Sequence, residues 1–441
     1  FSASSQDYSR IASINGYVHD VTFMWCNFTA PTGLADSYNR ISMVCDDSAI
    51  TENLKLVACL FDGNARGASL RGYDLQVSAT SFRNQLMGLA LNQAYDPYIA
   101  DCRFEGIGSY AIQINGIQDG DIVRNEVFGS SYGITVANPI VGGGRSLIAN
   151  NLIKIEGQSA NTGLWIGGNG FDVLNNSVMI NGRKTANAFY SYELPSEIDI
   201  VNNIFVSIAG LAMDIGYYTA NSSQIIDYNS YYTEGNHLVK MGSTTFDDLA
   251  ALQAAHPGIN VHSVGYNPLW DEDMHVRSQY LRGIAQVRDE FDDDINEIYR
   301  GEAWDIGAEQ QTLPSDLSPL AGTYSVGSPS ADYPTMDACI WALQYHGIND
   351  HVIFHLEPGT YAGGYTLREY PKSAANLGVL FSTENFGSIT INPESDVMDN
   401  NYFVRTLGAS NVSFMTMSLS SAAPGRNTHI FIVEGRSKKT V

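Results

Sequence analysis

Positive charge is scarce in this chain: 24 Lys and Arg stand against 47 Asp and Glu, a formal net charge of -23. Binding to a phosphate backbone needs basic side chains to displace counterions, so a nucleic-acid partner is excluded on this balance. Cysteine is sparse as well. Five (Cys26, Cys45, Cys59, Cys102, Cys339), with no CxxC pair, do not make the even framework of a small disulfide-stapled domain. No apolar run reaches the roughly 18 residues that a membrane-spanning helix needs. There is also no initiating Met and no basic and apolar signal segment at Phe1, as expected of a fragment or a processed product.

What is abundant points to stacked short strands. Gly at 41, Tyr at 25 and many Asn, with only 16% charged residues, suit strands joined by tight turns better than amphipathic helices. A chain of 441 residues also exceeds one ordinary core, so a solenoid is expected. An eight-residue pattern bears this out within the sequence: an extended apolar strand, a small or Asn-containing turn, and a final apolar residue. It recurs as VTFMWCNF ending at Phe28, LKLVACLF at Phe61, LQVSATSF at Phe82, PYIADCRF at Phe104 and DIVRNEVF at Phe128. SLIANNLI at Ile153, FDVLNNSV at Val178, IDIVNNIF at Phe205 and QIIDYNSY at Tyr231 follow. After one longer step the copies fall roughly 21 to 27 residues apart, the length of one solenoid coil.

A second register lies between them, at Gly88-Leu89-Ala90-Leu91, Ala111-Ile112-Gln113-Ile114, Gly133-Ile134-Thr135-Val136, Gly163-Leu164-Trp165-Ile166 and Gly210-Leu211-Ala212-Met213, so each coil contributes at least two strands. The sixth place of the octet holds Cys26, Cys59, Thr80 and Cys102, then Glu126, then Asn151, Asn176, Asn203 and Asn229. That column reads as a structural ladder, thiols below and asparagines above, because Asn satisfies turn backbone groups and stacks on its like. The thiols are read as small buried hydrophobes, with a Cys26–Cys59 bridge left open by the strand spacing of about 4.8 Å.

Four segments are expected: coils of one module at 1–235, an irregular acidic cap at 236–312, a linker at 313–323, and a fresh cap with the first coils of a second module at 324–441. In TTFDDLAALQAAHPG a short helix is expected, capped by Thr244 or Thr245. A second helix is expected from about Thr335, burying Met336, Cys339, Ile340 and Leu343 and ending at Gly347. VSFMTMSL, ending at Leu419, matches VTFMWCNF about 391 positions earlier, which suggests that two tandem modules meet in this chain.

The opening YSVGSPSADYPTMDACIWALQYHGINDHVIFHLEPGTY, together with HSVGYNPLW and DDDINEIYRGEAWDIGAEQ, resembles the secreted right-handed parallel β-helix (pectate-lyase-like solenoid) repeat proteins of the Bacteroidetes type. The resemblance implies an all-β right-handed parallel β-helix with short capping helices, export, often by the type IX route, and a place at the cell surface. The family's closing segments read closer to Asp-x-Asp-Gly-x-x-Arg and Asp-Ile-Gly-Ala-x-Glu. Here Asp292-Asp293-Asp294-Ile295-Asn296 lacks the Gly, while Arg300 and Asp305 to Glu309 fit.

Chemistry on the surface is not concentrated. A lyase needs carboxylates from neighbouring coils around calcium, plus a base, yet Asp101, Asp121 and Asp199 share no column, and Arg124, Lys154, Arg183 and Lys184 scatter. The histidines fall near His256, His262 and His275 and near His346, His351 and His355, without the spacing of a zinc site. The run 289–296 offers oxygens to calcium but lacks an EF-hand's Gly and distant Glu, and a solvated loop is the simpler expectation. The expected function is therefore a non-enzymatic structural or adhesive module of a large extracellular surface protein or filament. No catalytic residue and no cofactor is assigned, calcium being the one ion the residues leave open. Other copies of the module and surface polysaccharide are the expected partners. The rival is a carbohydrate-active enzyme, a polysaccharide lyase or glycoside hydrolase, on the same scaffold.

Overall fold

A computed structural model describes all residues except 6, 34, 38, 141, 194–196, 220–222, 289–290, 312–317, 393–401, 423–428 and 435–441. It is an all-β parallel solenoid in two compact units. The first comprises Phe1–Gly265, Glu272–His275 and Leu281–Gln311; the second comprises Tyr266–Asp271, Val276–Tyr280 and Thr312–Val441.

In the first unit each octet ends in a strand of a nine-stranded parallel sheet running from Asn27–Thr29 to Ser230–Thr233. Its central residues form one inward column through Phe28, Phe61, Phe82, Phe104, Val127, Ile153, Val178, Phe205 and Tyr231, all of them fully buried. The rings of Phe28, Phe61, Phe82 and Phe104 stack at 4.6, 5.0 and 4.8 Å, nearly parallel. One apolar side chain per coil is laid over its equivalent in the next, as close packing of a repetitive core requires.

The register at Val127 corrects the sequence reading at one coil. Val127, not Phe128, pairs with Phe104 and Ile153, so the octet begins one residue earlier and its sixth place is Asn125 rather than Glu126. Glu126 faces outward and ion-pairs with Arg103. The second register also shifts once. Leu164 pairs with Phe189, and Phe189 with Met213, so Gly163 corresponds to Ala212 and Gly210 lies two residues outside its column. Small residues recur there because a Cβ at Gly163 would sit 2.2 Å from Val178 and one at Gly88 would sit 2.8 Å from Phe104.

The other faces of the coils form a 20-stranded sheet, parallel except for its last pair, Val239–Met241 with Thr244–Phe246. Thr244 and Thr245 therefore belong to a strand. The helix that follows, Leu249–Ala255, is capped by Asp248, whose extended backbone lets its carboxylate accept from Ala251 N at 2.8 Å, and it buries Leu252 in the core.

In the second unit the helix Met336–His346 is capped by Thr335 and ends at Gly347, with Met336, Cys339, Ile340 and Leu343 buried. The strand Ile348–Leu356 follows directly. Leu320–Val326, Ile348–Leu356, Val379–Ile391 and Val412–Ser421 stack in parallel over a Phe354, Phe381, Phe414 column with ring spacings of 5.2 Å. Residues 313–317 of the expected linker 313–323 lie outside the described residues, and its final residues enter the strand Leu320–Val326.

Candidate functional site: the turn ladder, its strap and an acidic groove

Every coil of the first unit turns the same corner. At the fifth place of the octet Trp25, Ala58, Ala79, Asp101, Arg124, Asn150, Asn175, Asn202 and Tyr228 all take left-handed backbone, with φ between 48° and 62°. The sixth residue then points inward to a set of buried carbonyls at the corner, some of which also accept a backbone N–H from the adjacent coil. Asn176 Nδ2 donates to Leu174 O (3.1 Å) in its own coil and to Ile148 O (2.8 Å) in the preceding one, and Asn203 does the same to Val201 O and Val173 O. Their Oδ1 atoms accept from the preceding coil: Asn151 N and Nδ2 donate to Asn176 Oδ1, and Asn176 N and Nδ2 to Asn203 Oδ1.

Asn125, Asn151, Asn176, Asn203 and Asn229 thus form one continuous chain of amides, fully buried, that ends where Asn229 N donates to Ser263 Oγ at 3.0 Å. Below Asn125 the chemistry changes but the targets do not. Thr80 Oγ1 donates to Ser78 O and Leu56 O, Cys59 Sγ to Val57 O and Phe23 O, and Cys102 Sγ to Ala100 O and Val77 O. Cys26 Sγ donates to Met24 O. All five cysteines are free thiols, so the Cys26–Cys59 bridge left open by sequence is not formed. The low thiols act as weak donors as well as packing atoms, and burial pushes Cys102 up to about 12.

Outside this corner lies an apolar stripe, Ala100, Val123, Ala149, Leu174 and Val201, against which Phe291 packs. Phe291 belongs to Leu281–Gln311, a strap that runs along the flank of the coils. The strap is held by the left-handed residues themselves. Asn202 exchanges two hydrogen bonds with the Gln286 backbone (2.7 and 2.8 Å), Asn150 Nδ2 donates to Asp293 O (2.8 Å), and Arg124 pairs with both Asp101 (2.7 Å) and Asp293 (3.2 Å). Arg288 reaches Asp199 at 2.9 Å, and Arg145 bridges Asp172 and Asp199.

The buckle is Arg300. Its Nε donates to Asp293 O, Nη1 to Asp305 O, and Nη2 to Asn150 Oδ1, Gly307 O and Ala308 O. Burial pulls the guanidinium down to about 10, against the pull of Asp294, Asp305 and Asp293. The acidic run is no solvated loop at its centre: Asp294 is fully buried, one oxygen accepting from Asn296 N and Ile298 N and the other from Gln310 N. Between Asn150 and Asn202, Asn175 is equally buried yet neither side-chain atom finds a partner. Alanine already occupies the same left-handed place at Ala58 and Ala79. Replacing Asn175 by Ala is therefore expected to change unfolding free energy by less than about 1 kcal/mol, whereas Asn202→Ala, which strands the Gln286 backbone, costs about 1–3 kcal/mol in the same denaturation assay.

The remaining sequence candidates do not converge. Lys154 and Arg183 bond backbone carbonyls (Glu272 O and Gln158 O), Asp121 is half-buried with its carboxyl raised by burial, His262 pairs with Asp227, and His275 pairs with Glu309. Among the described residues no three His, Cys, Asp or Glu side chains are grouped as a metal ion requires.

The surface feature that sequence reading missed is a column at the end of the long strands. Asp20, Asn53, Asp74, Asp96 and Asp119 stack coil on coil, each with left-handed backbone, beside His19, Glu52, Tyr73, Tyr95 and Gln118. Its lower end is an open groove of about 670 Å³ lined by Tyr17, His19, Asp20, Glu52, Asn53 and Asp74. Tyr73 and Tyr95 stack at 4.5 Å, and Tyr17 donates to Glu52 at 2.5 Å. The hydrogen bond from Asn53 and the contact with His19 hold Asp20 below its usual range, while burial and the Asp119 and Asp74 charges hold Asp96 above it. Among the described residues no Lys or Arg forms an ion pair with Asp20, Asp74, Asp96 or Asp119. The signal was present as Asp or Asn just before the first five octets in the register the structure gives, and was broken by Arg145, Gly170, Glu197 and Ser223 before the other four.

No family model matches this chain, and no curated protein matches it. Among solved structures it is similar to a PL6 family alginate lyase, AlyGC, at 11% identity and a TM-score of 0.21, over 97% of this chain and 76% of that one. A point variant of the same lyase aligns at 10% identity and a TM-score of 0.22, over 97% of this chain and 77% of that one.

Proposed function

We propose that the chain is a non-enzymatic structural and adhesive part of a large extracellular surface protein, built from tandem β-helix modules, and that its first unit holds neutral carbohydrate along the acidic column. The observation that carries this is the pairing of the Tyr73–Tyr95 stack with carboxylates repeated at coil spacing. Aromatic rings offer apolar faces to sugar C–H groups, and carboxylates accept from hydroxyls. A column rich in carboxylates, with which among the described residues no Lys or Arg forms an ion pair, repels uronate polymers, which sets it apart from a surface made for acidic polysaccharide. The second unit repeats the corner of the first: Asn411 before the octet 412–419 and Thr416 at its fifth place are left-handed, as Asp20 and Trp25 are at the octet 21–28.

The test is retention of the intact chain on neutral polysaccharides such as xylan and cellulose, with alginate and polygalacturonate for comparison. Binding to at least one neutral polymer, weakened about tenfold (about 1.4 kcal/mol) by Tyr73→Ala, is expected. Equal or stronger retention on the acidic polymers overturns the carbohydrate reading. Release of new chain ends from any of the polymers would make the protein an enzyme instead.

A further inference from the structure

The second unit contains a groove of about 360 Å³ lined by His351, Val352, Ile353, Asn376, Gly378, Val379, Leu380, Asn411 and Ser413. Register places it at the same station as the acidic groove. Val352 pairs with Val379 and Val379 with Val412, so the residues just before them, His351, Gly378 and Asn411, stack as a column. Asn411 is left-handed with φ 58°, as Asp20 is at the corresponding place before its own octet. Where the first unit puts carboxylates, the second puts an imidazole, a gap and an amide. Gly378 makes the gap: a Cβ there would lie 2.4 Å from Asn411 O.

The polar atoms of this groove are fixed in role. Gly378 N donates to His351 Nδ1 at 3.2 Å, so in the neutral ring the proton sits on Nε2, which is left as a donor on an exposed side chain. Asn411 Nδ2 donates to Ala375 O (2.7 Å) and Leu377 O (3.1 Å), which orients the amide and leaves Oδ1 as an acceptor. Ser413 adds a hydroxyl, and half-buried Ile353 and Leu380 supply apolar surface between. None of the lining residues carries a formal charge with His351 neutral.

We infer that this groove is a second saccharide site, for one or two neutral pyranose rings. A donor and an acceptor held two strand steps apart across a glycine gap, about 9.6 Å along the stack, match hydroxyls, which both give and take a hydrogen bond, on opposite sides of a pyranose ring. The apolar residues match the C–H face of the ring, and the volume falls in the range of small-ligand sites. An anion would find no cation in the lining, and a cation no carboxylate. The inference stands on the second unit alone and survives failure of the reading proposed for the acidic column.

Saturation-transfer NMR on the intact chain tests it, using the methyl glycosides of glucose, galactose, mannose, N-acetylglucosamine and glucuronic acid as probes. Measured in the Tyr73→Ala background, which weakens the acidic column, at least one neutral glycoside is expected to receive saturation, with at least a fivefold loss on adding His351→Phe or Ser413→Ala. Ser413→Ala removes only a half-buried hydroxyl, so it remains informative if the histidine variant misfolds. Absence of transfer to every neutral glycoside, equal transfer to the glucuronide, or signals indifferent to both second-unit variants each overturns the assignment. A signal abolished by Tyr73→Ala alone belongs to the acidic column and overturns it equally.

Discussion

Replacing Arg300 by alanine is expected to cost the first unit about 3–5 kcal/mol, the largest single effect we foresee, because it removes the partner of a buried polar cluster. The guanidinium is 3% exposed and serves four carbonyls and the Asn150 amide oxygen at once. With alanine those acceptors lose the guanidinium as a donor, Asp293 O keeping Asn150 Nδ2, and the fully buried Asp294 and Asp305 lose an attracting positive charge. Lysine should not rescue the fold. Its ammonium is a point donor and cannot reach acceptors spread around a planar fork. Chemical denaturation gives the magnitude, and limited proteolysis gives the place. Cleavage should appear first within 281–311, since the strap is the element that Arg300 buckles, with the coils following once the apolar stripe beneath Phe291 meets water. An unchanged midpoint and an unchanged cleavage pattern would show that the strap is held by Asn150 and Asn202 without its buckle.

The strap also shows where sequence reading stops. The coils were legible because each repeats an inward apolar residue at a nearly constant interval, and nine copies average out local noise. The strap has no period. Its contacts join residues 84 to 169 positions apart, such as Gln286 with Asn202 and Asp293 with Arg124, and nothing in DDDINEIYRGEAWDIGAEQ says which flank it will meet. The left-handed corner was equally hidden. It is occupied by Trp, Ala, Asp, Arg, Asn and Tyr, so the conformation is imposed by the stacked coil and not by residue preference.

The slip at Glu126 has a more specific cause. DIVRNEVF ends in Phe128, an aromatic where other copies have Phe, and matching on that ring moved the register by one, which turns every side chain to the opposite face. Phe128 is in fact half-exposed, with the Arg103 guanidinium 4.6 Å from its ring centre. The grooves were missed because most of their residues lie outside the octets, where no single residue type repeats from coil to coil. Side-chain type alone does not place Asp74 over Asn53, or Asn411 over Gly378. Strand pairing does.

Replacing Asn176 by alanine should destabilise the first unit by at least about 1–3 kcal/mol, the cost of a single stranded buried polar group, because its amide sits between two others and satisfies both neighbours. The substitution leaves Ile148 O and Leu174 O without the amide donor, Asn151 N without its Asn176 Oδ1 acceptor, and Asn151 Nδ2 with Ile122 O alone, all in the interior. It also opens a space the size of the lost amide in the middle of the stack. The lower coils show which replacement should be tolerated. Thr80 gives to two carbonyls and takes from Cys59 N at 3.2 Å, so a hydroxyl can both donate and accept at this corner. Asn176→Thr should therefore recover most of what Asn176→Ala loses. Asn176→Cys should fall between them, since a thiol donates weakly, as Cys59 and Cys102 do, and accepts poorly. Equilibrium unfolding in urea, followed by Tyr and Trp fluorescence, ranks the four proteins. The order Asn, Thr, Cys, Ala means that hydrogen bonding to shared carbonyls sets the stability of the corner. Equal losses in all three variants would mean that the ladder acts through amide packing alone, and no loss in alanine would mean that the coils hold their turns without it.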